Sequence, residues 1–391
     1  MNRFMKFASL LMAAVMLISC GGDEGGSLSG VLKVEVDRNL IQADGEDYTT
    51  LSVTLDGVAV TSDVEFYEGD DLLNVEDFKY FSTVAGDHEI WASYQTYVSD
   101  PVLVRVINVP IPETPADPAP ERTDFKPRVM AMHFTGAGCS YCGAMMDALA
   151  AAYADEEFCD KVVKVSIHNY PYTAGFEDPA YLAWDWATAM LKVANLNDPK
   201  LTSGVTNPSI MLDYTYGYYY YLSGTTSTQY MGFIQEILDS TKDDACGIAV
   251  NATLVDGQVV AKVTVKAAKA GSYRVSAMLL EDGITAKQAG SAIKVHDACV
   301  RHIDASEKIG NRLQDYGHSL GNIAAGKTAD YLFVWNLEDI QKKNDPNYYW
   351  NNFVHENLRM AVFVTDVRND AYHISNAVNV TFNEVLPYEY K

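Results

Sequence analysis

Gly136-Ala137-Gly138-Cys139-Ser140-Tyr141-Cys142 stands between an alternating apolar run, Arg128 to Phe134, and a segment of helical spacing that ends near Tyr153. The order predicts a strand, a sharp turn and a helix. Glycines at such a turn let the backbone bend and approach closely. Cys139 then falls at the helix N-terminus, where unpaired N–H groups and the helix dipole favour thiolate over thiol. In such settings a thiol pKa falls from about 8.5 to as low as ~3.5–7.5. Cys142, Met145, Met146, Leu149, Ala152 and Tyr153 keep a spacing of three and four, so they share the core face. That spacing makes Cys142 the sheltered, resolving thiol and Cys139 the exposed nucleophile.

Working outward, Lys161 to Ile167 reads as a second strand, and Asp178-Pro179 as the start of a helix running to about Ala194. Ser209 to Asp213 and Tyr218 to Leu222 read as two strands joined at Gly217. A last helix begins near Thr226 or Ser227 and buries Met231, Ile234, Ile237 and Leu238. The order βαβ then ββα over residues 125–243 resembles the thioredoxin core. In that family a cis-proline precedes the central strand and lies against the cysteine pair. Pro208, in Thr206-Asn207-Pro208-Ser209, holds that position. The resemblance makes Cys139, Cys142 and Pro208 the catalytic candidates. Two positions depart from it: Gly138 replaces a tryptophan, and His133 replaces a buried acid. A neutral His133 could act as the base for the resolving thiol, although a hydrogen-bonded core histidine is the simpler reading. Structural zinc at the cysteine pair would need two further ligands at matching spacing, and no second C-x₂-C or histidine pair is present. No metal and no cofactor are expected.

The N-terminus reads as an address. Arg3 and Lys6 precede an apolar run from Phe7 to Ile18, which ends in Leu17-Ile18-Ser19-Cys20. This matches a bacterial lipobox, so residues 1–19 are expected to be a signal peptide and Cys20 the lipidated residue. Residues 20–30 form a tether of small residues. The acidic Asp23-Glu24 behind the cysteine resembles a surface-export signal, which would turn the protein outward from the outer membrane. Residues 31–108 show short alternating strands with turn signals at Asp44-Gly45 and Asp56-Gly57, the pattern of an immunoglobulin-like β-sandwich. Residues 109–124 carry five prolines between 110 and 120 and read as a stiff linker with few contacts. From Cys246 the strands return, with a hairpin at Asp256-Gly257, so 244–391 is read as a C-terminal β-sandwich interrupted by a long insertion from Glu281 to Thr328.

Fifty-two acidic against 29 basic residues give a formal net charge of −23, which repels phosphate backbones and argues against nucleic acid. Six cysteines are too few for a disulfide framework, and Cys159, Cys246 and Cys299 remain beyond Cys20 and the close pair. Tyrosines 214, 216 and 218–221, with Tyr348-Tyr349-Trp350, form an aromatic set suited to stacking on sugar or peptide, or to packing.

Glu281-Asp282-Gly283-Ile284, Gln288 and Val295-His296-Asp297-Ala298-Cys299-Val300-Arg301 resemble the Omp twenty-eight-related outer-membrane lipoproteins, from about Phe125 to the C-terminus. That resemblance implies location and fold. Cys299 departs from the apolar residue expected there, and His296 and Arg301 are read as a hydrogen-bonded pair bracing the insertion. The expected function is thiol–disulfide exchange on envelope or secreted protein clients. The alternative is a non-enzymatic surface binding protein or adhesin in which the pair is a structural disulfide.

Overall fold

The computed structural model describes residues 30–170, 173–181, 207–214, 216–219, 226–304, 308–309, 312–313, 317–343, 353–368 and 371–391. The signal segment, Cys20 and the tether to Ser29 lie outside them. So do the span 182–206, which holds most of the helix expected from Asp178, and Tyr348-Tyr349-Trp350. The protein is predominantly β, with several sheets, and divides into two units, one ending at Asn108 and the other starting at Val109.

The first unit holds β1 (Leu32–Val36), β2 (Leu40–Gln42), β3 (Thr49–Leu55), β4 (Val58–Val60), β5 (Val64–Glu68), β6 (Asp71–Leu72), β7 (Lys79–Tyr80), β8 (Gly86–Tyr94), β9 (Tyr97–Val98) and β10 (Val102–Ile107). They form a four-stranded sheet, β1-β3-β4 with β7 on β3, and a six-stranded one, β2-β10-β8-β5-β6 with β9 on β8. Alternation along β3 sends Leu51 and Val53 inward, and β8 sends Ile90 and Ala92 to meet them. The Asp56-Gly57 turn has both residues at positive φ, the geometry a two-residue hairpin needs.

The second unit opens with β11 (Val129–Thr135), α1 (Cys142–Tyr153), the short α2 (Glu156–Cys159) and β12 (Val162–His168). After these come β13 (Ser209–Leu212), β14 (Tyr216–Tyr219) and α3 (Ser227–Thr241). Thr226 and Gln229 close a reciprocal cap on α3, which explains why that helix starts where it does. Beyond it lie β15 (Gly247–Val255), β16 (Gln258–Lys266), β17 (Gly271–Glu281), β18 (Ile284–Thr285), β19 (Val295–His296) and β20 (Cys299–Asp304). The chain ends with β21 (Lys308–Ile309), β22 (Arg312–Leu313), β23 (His318–Ile323), β24 (Thr328–Asn336), α4 (Leu337–Lys343), β25 (Leu358–Arg368), β26 (Ala371–Thr381) and β27 (Glu384–Leu386).

Two domains, 125–243 and 244–391, are expected here from the sequence; instead one nine-stranded sheet runs through both. Its order is β14-β13-β11-β12-β20-β17-β25-β26, with β23 also on β17. β12 pairs in parallel with β11, and at Ser166↔Cys299 with β20. The sheet curls, so that β26 also approaches β11 and β12. One apolar cluster therefore joins Met132, Phe134 and Val165 to Leu280, Phe363 and Ala377. On the opposite face, α1 and α3 cover Val129, Ala131 and Ile210 with Met145, Leu149, Ile234 and Ile237. The four-stranded antiparallel sheet β24-β16-β15-β27 packs against the C-terminal half of the large one. A boundary at 243/244 would cut through shared core.

The proline-rich segment is also not a free linker. Its backbone joins no ladder, as proline requires, but its acids and carbonyls grip the outer face of β16. Alternation places Lys262, Thr264 and Lys266 on one side of that strand. Lys262 pairs with Glu113 (2.6 Å), Thr264 meets Thr114 (2.8 Å) and Lys266 pairs with Asp117 (2.7 Å). Lys266 also donates to the Pro120 carbonyl, and the Tyr390 hydroxyl donates to Asp117. Lys266 is buried, so losing its carboxylate leaves a poorly compensated ammonium. Asp117→Ala is expected to cost about 2 kcal/mol or more by urea unfolding. A chain starting at Phe125 should accordingly melt below one starting at Val109. Equal melting temperatures for those two chains would show that the strap adds nothing.

Candidate functional site

β11 ends at Thr135 and the chain turns through residues 136–141 into α1. Cys139 N–H donates to the Gly136 carbonyl (3.1 Å), and Cys142 N–H to that of Cys139 (3.2 Å). The two cysteines are joined as a disulfide. Tyr141 at the N-cap supplies no side-chain cap, and the first turn of α1 carries no acid. The N-terminus of α1 thus faces the sulfurs with its dipole uncompensated. Gly138 is packed against Thr173: a Cβ on residue 138 would come within 2.5 Å of Thr173 Oγ1.

Cys142 is fully buried, as its helical spacing predicts. Cys139, expected to be exposed, is not: it is 2% accessible. The insertion, about 150 residues later in the chain, packs on the cysteine turn. Ala289 N–H donates to the Ala137 carbonyl (2.8 Å). The Gln288 amide donates to the carbonyls of Gly136 (3.1 Å) and Cys139 (2.8 Å). Gly290 lies directly on the Ser140 backbone, with positive φ. Residues 288–291 form a cap that satisfies the carbonyls of the cysteine turn, and Gln288, marked in the sequence only by a family resemblance, is its central polar contact.

Pro208 is buried, follows a cis peptide bond from Asn207, and directly precedes β13. The register His133↔Ile210 and Phe134↔Ser209 carries it to the level of Thr135, beside the cysteine turn. His133 is buried on the helix-covered face, and its Nε2 has no hydrogen-bond partner among the described residues. The hydrogen-bonded core histidine expected there is thus not borne out at Nε2 among the described residues. Burial, reinforced by the nearby His168 and His296, pushes its pKa down to about 3. At neutral pH His133 is uncharged and a poor base for Cys142.

A second polar cluster, which the sequence does not announce, lies beside the cap. Asp178, expected as a helix cap, accepts from Ala180 N–H (3.1 Å), from Ala137 N–H of the cysteine turn (2.7 Å) and from His168 Nδ1 (2.9 Å). His168 Nε2 faces Cys299 Sγ at 3.6 Å. His296 and Arg301 both brace the insertion, each through its own partners. His296 Nε2 donates to the Ala286 carbonyl (3.1 Å), while Arg301 meets Glu281 (3.2 Å) and the Pro179 carbonyl. The only sequence signal for this cluster is Cys299 itself, as the unexpected residue in its run.

Between α1 and the insertion runs an open groove of about 810 Å³. Met146 and Tyr153 wall it on one side and Ile293 and His296 on the other, over a floor that includes His133 and Lys164. Of the expected aromatic set, Tyr214 is buried in the core against Phe363. The side chains of the other hairpin tyrosines lie outside the described residues. No group of three or more metal-ligating side chains occurs among the described residues. None of the described helices is long and apolar enough to cross a membrane.

No family model matches the chain, and no curated protein does. Among solved structures it is similar to HBP35 of Porphyromonas gingivalis, at 17% identity and a TM-score of 0.50, over 68% of this chain and 78% of that one. At that identity the likeness is one of fold.

Proposed function

We propose that this chain is a lipid-anchored protein of the bacterial outer membrane, of the Omp twenty-eight-related type, that binds a partner without turning over a substrate. In this reading the immunoglobulin-like unit is a spacer carried on acylated Cys20, and a thioredoxin-like arrangement serves as scaffold. The groove along α1 is the place for a ligand. The Cys139–Cys142 bond is a staple that holds the cysteine turn in the shape its cap fits.

The observation that carries this reading is the covered Cys139. Exchange begins when a thiolate attacks one sulfur of the disulfide, so a protein client must reach that sulfur. At 2% exposure, with Gln288 and Gly290 packed on the backbone of its turn, Cys139 offers no such approach. Exchange on envelope clients is the second reading, favoured by Pro208 beside a disulfide at a helix N-terminus.

Titration of the full chain in glutathione buffers separates the two. A staple should stay oxidised to below about −300 mV, whereas an exchange centre equilibrates between about −120 and −270 mV. Mixed disulfides trapped through Cys139 in Cys142→Ser would also overturn the staple reading. Anchoring is tested separately by palmitate labelling, which Cys20→Ala should abolish.

A further inference from the structure

We infer that Cys299 is a reactive thiol of this chain, held by the His168–Asp178 pair for attack on a small hydroperoxide. The inference is independent of whether Cys139 and Cys142 exchange. It rests on the line Asp178–His168–Cys299, which parallel pairing of β12 with β20 assembles from distant parts of the sequence.

The geometry fixes the proton. A carboxylate only accepts, so His168 Nδ1, 2.9 Å from Asp178 Oδ1, must carry a hydrogen. Asp178 is itself held by Ala137 and Ala180 N–H groups, which lock the carboxylate and through it the ring. His168 Nε2 is thereby left facing Cys299 Sγ at 3.6 Å, where it can take the thiol proton. This is the arrangement in which an imidazole oriented by an acid activates a nucleophile. Burial alone would lower the His168 pKa, but the Asp178 charge and then Cys299 hold it up at about 10. The ring is thus held as a cation beside the sulfur.

The other charged or titratable groups around the thiol are consistent with this. Arg301, two residues on along β20, shares its face and pairs with Glu281 of β17. From the insertion, the His296 ring lies edge-on to His168 at 5.1 Å, with Nδ1 lacking a partner among the described residues. Burial keeps His133 and His296 neutral. A cavity of about 240 Å³ is lined by Pro179, Glu281, Ile284 and Arg301; Cys299 does not itself line it, but Ile284 of its wall packs on Cys299. At about 30 Å³ per water molecule it has room for a hydroperoxide.

In the reaction the Cys299 thiolate attacks one peroxide oxygen. The S–O bond forms as the O–O bond breaks, and the leaving oxygen takes the proton from His168 Nε2. Sulfur is oxidised by two electrons to sulfenic acid, and hydrogen peroxide is reduced to water. Every atom is supplied by the thiol and the peroxide.

Cys246 is an internal control. It is as buried as Cys299 but has no imidazole beside it, and burial pushes its thiol up to about 12. The test exposes the full chain to hydrogen peroxide, traps sulfenic acid with dimedone and reads each cysteine by mass spectrometry. Cys299 is expected to label at least about tenfold faster than Cys246. His168→Asn should bring Cys299 down to the Cys246 rate. Equal labelling of the two thiols in the native chain would overturn the inference, as would an unchanged ratio in His168→Asn. If both thiols speed up together in the variant, it has lost its packing, and the Cys299-to-Cys246 ratio in the native chain decides.

Discussion

Gly290→Ala is expected to speed reduction of the Cys139–Cys142 bond by dithiothreitol by about 30- to 100-fold. Residue 290 has φ +72°, and a Cβ built there would lie 2.5 Å from the Ser140 carbonyl oxygen and 3.3 Å from its carbon. Both obstacles are backbone, so neither can swing aside. Left-handed φ costs a non-glycine residue about 1–2 kcal/mol. Pushing the cap outward also strains the Ala289 N–H and Gln288 amide bonds to the cysteine turn, each worth about 1 kcal/mol. A total of about 2–3 kcal/mol is 30- to 100-fold in the open population at 1.4 kcal/mol per decade. The readout is the rate at which Cys139 becomes alkylable after reductant is added, with buried Cys246 reporting on global packing. An unchanged rate would mean that the cap does not limit access, and the case for a staple would lose its main support. A faster rate without client turnover would leave the staple intact, with its protection assigned to residues 288–291.

What is legible in the sequence is local. Asp56-Gly57 and Asp256-Gly257 both form the two-residue hairpins their chemistry demands. The strand, turn and helix around Cys139 follow from glycine spacing and a helical stripe, and Pro208 directly precedes its strand as expected. The hidden part depends on contacts far apart in the chain. β12 and β20 meet at Ser166 and Cys299, and parallel pairing over that distance leaves no hairpin signal. Without that signal one sheet reads as two domains, and His168 and Cys299 look unrelated. For the same reason Cys139 looks exposed, since a helix N-terminus says nothing about a cap supplied by residues 288–291.

The proline segment conceals its role for a different reason. Proline density correctly predicts an extended chain outside any ladder, but says nothing about where its acids point. The informative clue is in β16, where Lys262, Thr264 and Lys266 alternate with the apolar Val263 and Val265. A polar face of that kind on a buried-core strand calls for a partner, and Glu113, Thr114 and Asp117 supply it.

Lys242→Met is expected to cost about 3–5 kcal/mol, read as a shift of the urea midpoint, because it breaks a buried pair from one side. Lys242 lies just past the end of α3 and is 1% exposed. Its ammonium lies 2.8 Å from Asp213 Oδ2 and donates to the carbonyls of Ile374 (2.6 Å) and Ser375 (3.2 Å) in β26. Asp213 in turn accepts from Met130 N–H of β11 (2.8 Å). One charge pair thus fastens α3 and the β13 turn to both ends of the curled sheet, which is why residues 125–243 do not stand apart from residues 244–391. Burial pushes the Asp213 carboxyl up more strongly than the Lys242 charge pulls it down. Without that charge it should rise further and hold a proton in the folded state well above its unfolded value of about 4. A group raised in this way contributes stability that is fully present below the unfolded pKa and is lost as pH rises through the folded one. The variant should therefore fall furthest behind the parent chain in neutral and alkaline buffer and approach it near pH 4. Adding Asp213→Asn, which keeps an acceptor for Met130 N–H and removes the buried charge, should restore most of the loss and flatten that pH dependence. A single-variant cost below about 1 kcal/mol, the range of exposed pairs, would show that water reaches the site.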